Sequence, residues 1–233
     1  MRLDMLRTLN ELRTARRPAV AVVSPRQGTI RVQAADAGPL QLGGTDLSQA
    51  AQTALAHDQP QWVEADGDKL MIAPFNPPLR LAIVGAVHIS QALAPMARLA
   101  GYDVTVIDPR TAFASAERFP GTAIDRRWPD EALEDFAPDI RSAVVTLTHD
   151  PKLDEPALAR ALASPAFYIA ALGSRRTHGA RCERLAARGI DAAGLARIHG
   201  PAGLAIGART PAEIALAIMA QMTAVLRRAE GRP

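Results

Sequence analysis

The stretch LAIVGAVHISQAL, Leu81 to Leu93, fixes the class of fold. Its first four residues are a continuous apolar run, as in a strand buried on both faces. Gly85 marks a turn, and the pattern that follows predicts a helix over 88–100. A strand, a tight turn and a helix in that order open a dinucleotide-binding unit, in which three glycines serve the turn, the phosphate approach and the helix packing. Only Gly85 is in place here. Val87 or His88 occupies the space through which a phosphate would approach, and Ser90 stands for the third glycine as a small residue. The acidic residue expected after the second strand is Asp108, at the end of YDVTVIDPR; it either receives ribose hydroxyls or begins a turn before Pro109. His88, at a strand end and a helix start, is either a donor to a phosphate or oxo group or a histidine bonded within its own turn.

On either side of this stretch the elements alternate. Strands are predicted at 80–84, 103–107, 142–147 and 166–171, and helices at 88–100, 152–163 and 175–188, with a short helix in the loop before 142. Apolar runs such as AVVTL and FYIAAL belong to a parallel sheet covered on both faces, so the fold class is α/β, a Rossmann-like doubly wound sheet. Thr210, Pro211 and Glu213 form a cap, a first helical position and a capping box for a last helix reaching about Arg227. Upstream, Asn76-Pro77-Pro78 interrupts both helix and sheet and marks a boundary. We therefore expect a small N-terminal α+β domain over 1–76 and the Rossmann-like domain over 79–233. In the former, MLRTLNELRTAR is helical, AVAVVS and TIRVQAA are strands, DLSQAAQTALAHD is a helix, and PQWVEADGDKLMIAPF is a hairpin turning at Asp66-Gly67.

Three further strand ends carry polar groups. Thr148-His149-Asp150, with Asp154 beyond Pro151, suits ligand orientation, metal binding or acid–base work, although Asp150 equally suits a helix cap. Gly173-Ser174-Arg175-Arg176 opens a helix with a hydroxyl, free N–H groups and two guanidinium charges. Cations there oppose the helix dipole, so a bound anion is a better explanation than a solvated face. The segment RIHGPAGLAIGARTPAEIA holds His199, Gly200, Gly203 and Gly207, glycines that bring backbone to a ligand or simply make turns.

Composition narrows the classes. With 233 residues, 48% hydrophobic, the chain has enough for a well-packed core, and its net charge of +3 comes without any basic run longer than a pair. That argues against nucleic acid as a partner. No apolar run approaches the roughly 20 residues of a membrane span, and Met1 to Pro18 lacks a signal peptide's apolar centre, so a cytoplasmic protein is expected. Cys182 is the sole cysteine. It excludes an internal disulfide and reads as a small packed residue.

Taken together, VTVIDPRTAFASAERFP, LTHDPKLDEPAL, YIAALGSRRTH and RIHGPAGLAIGARTPAEIALAI resemble the xanthine dehydrogenase accessory family (XdhC/CoxI) over roughly Leu79 to Leu226. VVSPRQGTIRV and LGGTDLSQAAQTAL look like a shortened form of its first domain. The resemblance implies a maturation factor that binds molybdenum cofactor, protects it during sulfuration and delivers it to a xanthine dehydrogenase-like apoenzyme. It also implies a cysteine desulfurase partner and a homodimer. Gly85, His88, Ser90, Asp108, His149, Gly173, Ser174, Arg175 and Arg176 then become cofactor contacts, with no protein metal ligand and no assigned catalytic residue. Many relatives carry a cysteine after paired glycines where this chain has Thr45, which neither binds soft metals nor carries sulfur as a thiolate does. Two other readings stand beside this one: an NAD(P)-dependent oxidoreductase using Asp108 on the ribose and His149 as acid or base, and a nucleotide-sensing module without chemistry.

Overall fold

The six parallel strands of the larger unit lie in an order that places a topological switch beside Gly85. The structure, a computed structural model, describes residues 3–42, 44–65 and 67–228. Two compact units divide the chain, the first running through Pro77 and the second from Pro78.

In the first unit α1 (Leu3–Thr14) precedes β1 (Ala19–Ser24), β2 (Thr29–Ala34), the two-residue strands β3 (Gln41–Leu42) and β4 (Thr45–Asp46), α2 (Ser48–His57), β5 (Gln61–Ala65) and β6 (Asp68–Phe75). The order β2-β1-β6-β5 is antiparallel throughout. Val20, Val22, Leu70 and Ile72 meet Ala51 and Ala54 of α2 in its core. Asn76 donates to Leu55 O (2.7 Å), tying the segment before the prolines back to α2. Of the expected hairpin turn, Asp66 lies outside the described residues. Thr45 pairs with Leu42 across the β3–β4 bridge.

The second unit runs β7 (Leu79–Val84), α3 (His88–Leu99), β8 (Tyr102–Ile107), β9 (Ala123–Asp125), α4 (Pro129–Phe136), β10 (Ser142–Thr146), α5 (Pro151–Leu162), β11 (Tyr168–Ala171), α6 (Arg175–Ala187), α7 (Ala192–Ala196), β12 (Ile198–His199) and α8 (Pro211–Arg228). The spatial order β12-β11-β10-β7-β8-β9, with every pair parallel, is the 3-2-1-4-5-6 order of a dinucleotide fold. Alternate residues of the apolar runs feed two cores. Leu81, Ile83, Ala143 and Val145 face α3 and α8, whereas Ala82, Val84 and Val144 face α4, α5 and α6. Leu81, Ile83, Val84, Val144 and Val145 are fully buried, each contributing about 1.5–3 kcal/mol of hydrophobic stabilisation. The capping box at α8 forms as its residues suggest: Thr210 Oγ1 accepts from Glu213 N, and Glu213 accepts from Thr210 N.

The sheet and most helices follow the sequence reading, but β9, α7 and β12 do not appear in it. Each of these elements, two to five residues long, covers fewer than two hydrophobic periods, and β9 and β12 are edge strands with little apolar signal.

The order reverses between β7 and β10, and there the two turns touch. Gly85 has φ +110°, and a Cβ on it would lie 2.6 Å from the methyl of Thr148. Its glycine is therefore demanded by its neighbour as well as by its own backbone. Gly85→Ala is expected to cost about 1–3 kcal/mol in urea unfolding. Adding Thr148→Ser removes the opposing methyl but keeps the hydroxyl, so the double variant should recover the steric part; equal stabilities of single and double variants would refute this packing.

Candidate functional site

Four turns leave the carboxyl ends of β7, β8, β10 and β11, where open α/β sheets bind ligands. Two buried carboxylates organise them. Asp108, 1% exposed, follows β8. Its Oδ2 accepts Ala86 N (2.7 Å) from the first turn and Arg110 Nη2 (2.8 Å), while its Oδ1 accepts Arg110 N (3.0 Å) and Nε (2.9 Å). Burial pushes this carboxyl up, but the Arg110 guanidinium and the N–H groups of Ala86 and Arg110 outweigh it and hold the group below its ordinary value. Asp108 thus makes the turn before Pro109, and both its oxygens are engaged. It offers no free acceptor of the kind that ribose hydroxyls need.

Asp154, also 1% exposed, has the same role behind the turn that follows β10. Oδ1 accepts Thr148 Oγ1 (2.7 Å) and Thr148 N (3.3 Å), and Oδ2 accepts His149 N (3.1 Å). Desolvation raises its pKa, opposed by Thr148 and by Arg181. These bonds hold His149 at φ +63°, a conformation that non-glycine residues seldom adopt, with its ring exposed at the rim. Asp150 is the N-cap of α5, accepting Lys152 N at 2.9 Å.

Arg181, 3% exposed on α6, reaches back under the next turn. Its Nη2 donates to Leu172 O (2.8 Å) and lies 3.9 Å from Asp154 Oδ2, while its buried Nη1 has no partner among the described residues. Above it Ser174 caps α6, accepting Thr177 N at 3.1 Å. Arg175 and Arg176 are exposed in the first turn of α6, without a hydrogen bond or ion pair among the described residues. His88 begins α3 in the same manner, its side chain exposed and without a hydrogen bond among the described residues, behind a Val87 cap that offers no side-chain hydrogen bond. Ser90 faces inward, fully buried, and its hydroxyl donates to Gly85 O.

The expected residues therefore divide. Gly85, Ser90 and Asp108 build the turns, Gly173 and Ser174 shape the start of α6, and His88, His149, Arg175 and Arg176 are presented outward. In the glycine-rich segment a Cβ on Gly200 would fall 2.1 Å from the His178 ring and one on Gly203 3.0 Å from Ala217 Cβ, whereas Gly207 lies in open space at φ +79° and serves a turn. Cys182 is half-buried on α6, its Sγ 3.5 Å from His178 Nε2. Among the described residues no group of three or more His, Cys, Asp or Glu side chains is arranged to hold a metal. Nor is any described helix long and apolar enough to cross a membrane. A cleft of about 380 Å³ in the first unit sets Gln33, Ser48 and Gln52 over Val20 and Leu40, but its one charge, Asp36, is already paired with Arg17. It has no feature that selects an anion.

Arg110 and Arg181 were not among the residues expected from sequence. The signal for Arg110 is its place two residues after Asp108 in an Asp-Pro-Arg turn; that for Arg181 is its position seven residues after the Ser174 cap, on the same helix face.

Comparison with known proteins places this arrangement. A family model described as the XdhC Rossmann domain matches residues 81–222. The chain is 33% identical over 154 residues to the uncharacterized protein YqeB of Escherichia coli, covering 65% of this chain and 28% of that one. It is 32% identical over 151 residues to the molybdenum cofactor insertion chaperone PaoD of the same organism, covering 65% and 41%. With a Bacillus subtilis protein named as a probable xanthine dehydrogenase subunit it shares 28% identity over 160 residues, covering 68% and 46%. The matched region thus spans less than half the length of these relatives. A crystal structure from Bacillus halodurans described as a xanthine dehydrogenase shares the fold, with a TM-score of 0.57 at 20% identity over 96% of this chain and 94% of that one.

Because Asp108 is held below its ordinary pKa, its contribution to stability is complete above the unfolded carboxylate value near 3.9 and is lost as pH falls through the lower folded value. Asp108→Asn should cost about 2 kcal/mol at pH 7. Its deficit against the wild type should shrink in urea titrations carried down through pH 4 to pH 2; a deficit that stays constant with pH would contradict the ionised role.

Proposed function

We propose that this chain, which belongs to the XdhC family, binds molybdenum cofactor as cargo and assists its sulfuration and insertion into a xanthine dehydrogenase-like molybdenum hydroxylase. The observation that carries this reading is the pair Arg175 and Arg176, exposed in the first turn of α6 on the switch-point rim and unpaired among the described residues. Cations at a helix N-terminus are disfavoured unless an anion joins them. A pterin phosphate, alone or in its cytidine dinucleotide form, is such an anion, and the similarity to a protein named as a molybdenum cofactor insertion chaperone supports the choice.

The donor set fits that cargo. Arg175, Arg176, Ser174 and the first N–H groups of α6 would take the phosphate, while His88 and His149 would meet polar edges of the ring system. Gly85, Ser90, Gly173 and Asp108 hold the turns that present them. None of these donors is a thiol, so the chain would grip the organic portion of the cofactor rather than its molybdenum.

The same proposal includes an N-terminal domain over 1–76 and a Rossmann-like domain over 79–233. It also includes a cytoplasmic location, a homodimer, and contacts with the apoenzyme and a cysteine desulfurase. It involves no nucleic acid or membrane. A dinucleotide oxidoreductase is the weaker reading, since the carboxylate that would take the ribose is already bonded to Ala86 and Arg110.

Each charge-assisted hydrogen bond contributes about 1.5–3 kcal/mol, so Arg175→Ala/Arg176→Ala should retain molybdenum cofactor at least about tenfold more weakly than the wild type. Gel filtration of cofactor-soaked protein, with pterin assayed in the protein peak, reads this out. Undiminished retention in a folded double variant would remove the anion site.

A further inference from the structure

The loop between β8 and β9 holds a second group of outward-facing residues that the phosphate-binding reading leaves unused. Arg110 is gripped at two points by Asp108, through Nε and Nη2, so the plane of its guanidinium is fixed. The centre of that group lies 4.8 Å from the centroid of the Phe113 ring. Arg118 approaches the same ring at 5.7 Å. It too is held, with Nη1 donating to Phe113 O (2.8 Å) and Nη2 to Gln91 Oε1 (3.2 Å). Gln91 belongs to the first turn of α3, so the cluster is braced against the helix that His88 begins.

Phe113 is 45% exposed, and it does not anchor the loop. Ala114 and Phe119, at 0% and 2%, do that. Two held guanidinium groups lie over a ring that stays partly exposed, and their planes have already lost the rotamer entropy that stacking would otherwise cost. Arg110 Nη1 has no partner among the described residues, which leaves one directed donor beside the ring. Arg110 shares Asp108 Oδ2 with Ala86 N of the turn after β7, so it lies within the same rim. In a sheet of this order the loop after the second strand borders the side of the crevice that receives the ribose end of a dinucleotide.

We propose that Arg110, Phe113 and Arg118 form a stacking shelf for a planar heteroaromatic ring, whose anionic tail reaches Ser174, Arg175 and Arg176. The shelf rests on the anion-binding reading of α6 given above and adds the orientation of the ligand. Pterins and nucleobases share the required chemistry, a flat ring edged with carbonyl and nitrogen acceptors.

Fluorescence anisotropy of 6-carboxypterin on the full chain tests it, with cytidine monophosphate and inorganic phosphate as competitors. Base stacking on an aromatic side chain contributes about 1–3 kcal/mol. Phe113→Leu should therefore weaken 6-carboxypterin by about fivefold or more, leave competition by inorganic phosphate unchanged, and be rescued by Phe113→Trp. If cytidine monophosphate also loses affinity in Phe113→Leu, the shelf accepts nucleobases as well; if it competes equally against both proteins, the shelf is selective for pterins. Unchanged 6-carboxypterin binding in Phe113→Leu, with binding lost in Arg175→Ala/Arg176→Ala, overturns the shelf and leaves the anion site standing. Loss in Phe113→Leu with no effect of the double arginine variant keeps the shelf and overturns the anion site. A wild-type chain that binds neither probe overturns both.

Discussion

The turn after β7 must pass so close to the turn after β10 that no side chain fits between them, because the Thr148 methyl lies 2.6 Å from where a Cβ on Gly85 would sit. That contact places Thr148 so that its hydroxyl reaches Asp154, and Asp154 in turn receives the N–H of His149. Arg181 faces the same carboxylate and donates to Leu172, which extends the order to the start of α6. On the other side Ala86 N–H is taken by Asp108. A buried backbone donor without a partner costs about 1–3 kcal/mol, so these bonds are a condition for packing four turns into one rim.

The consequence is a separation of charge. The carboxylates Asp108 and Asp154 are buried and committed to the turns, while His88, His149, Arg175 and Arg176 face outward. Two helix N-termini, those of α3 and α6, add the positive ends of their dipoles. The rim therefore sets two arginine charges and two helix N-termini toward solvent, with the carboxylate of Asp150 taken up in capping α5. The proposed cargo, anionic and edged with polar groups, suits such a surface.

Much of this was legible in the sequence, for reasons that also explain what was not. LAIVG, AVVTL and YIAAL are apolar at consecutive positions, and only a strand packed on both faces needs that, so the doubly wound sheet could be read directly. Ser174, Asp150 and Thr210 announce their helices because capping chemistry is local. The roles of Asp108 and Ser90 were less visible. A carboxylate after the second strand looks the same whether it awaits a ribose or is closed by an arginine two residues later, and only the folded backbone brings Ala86 within reach. Arg181 was hidden for a related reason: its partners Leu172 and Asp154 lie nine and 27 positions away. In the sequence Gly85 looks like the remaining glycine of a phosphate-binding turn, whereas its neighbour Thr148 supplies an equally strong demand from a turn more than sixty residues on.

On this account the rim keeps the location of a dinucleotide site but not its ribose acceptor, and it offers anion binding in its place. Native mass spectrometry of the chain purified from a molybdenum-replete host puts that claim to the sharpest test. A bound mass matching molybdopterin, or its cytidine dinucleotide form, is the expected result; a bound nicotinamide dinucleotide, or a chain that emerges with nothing bound after cofactor loading, would contradict it.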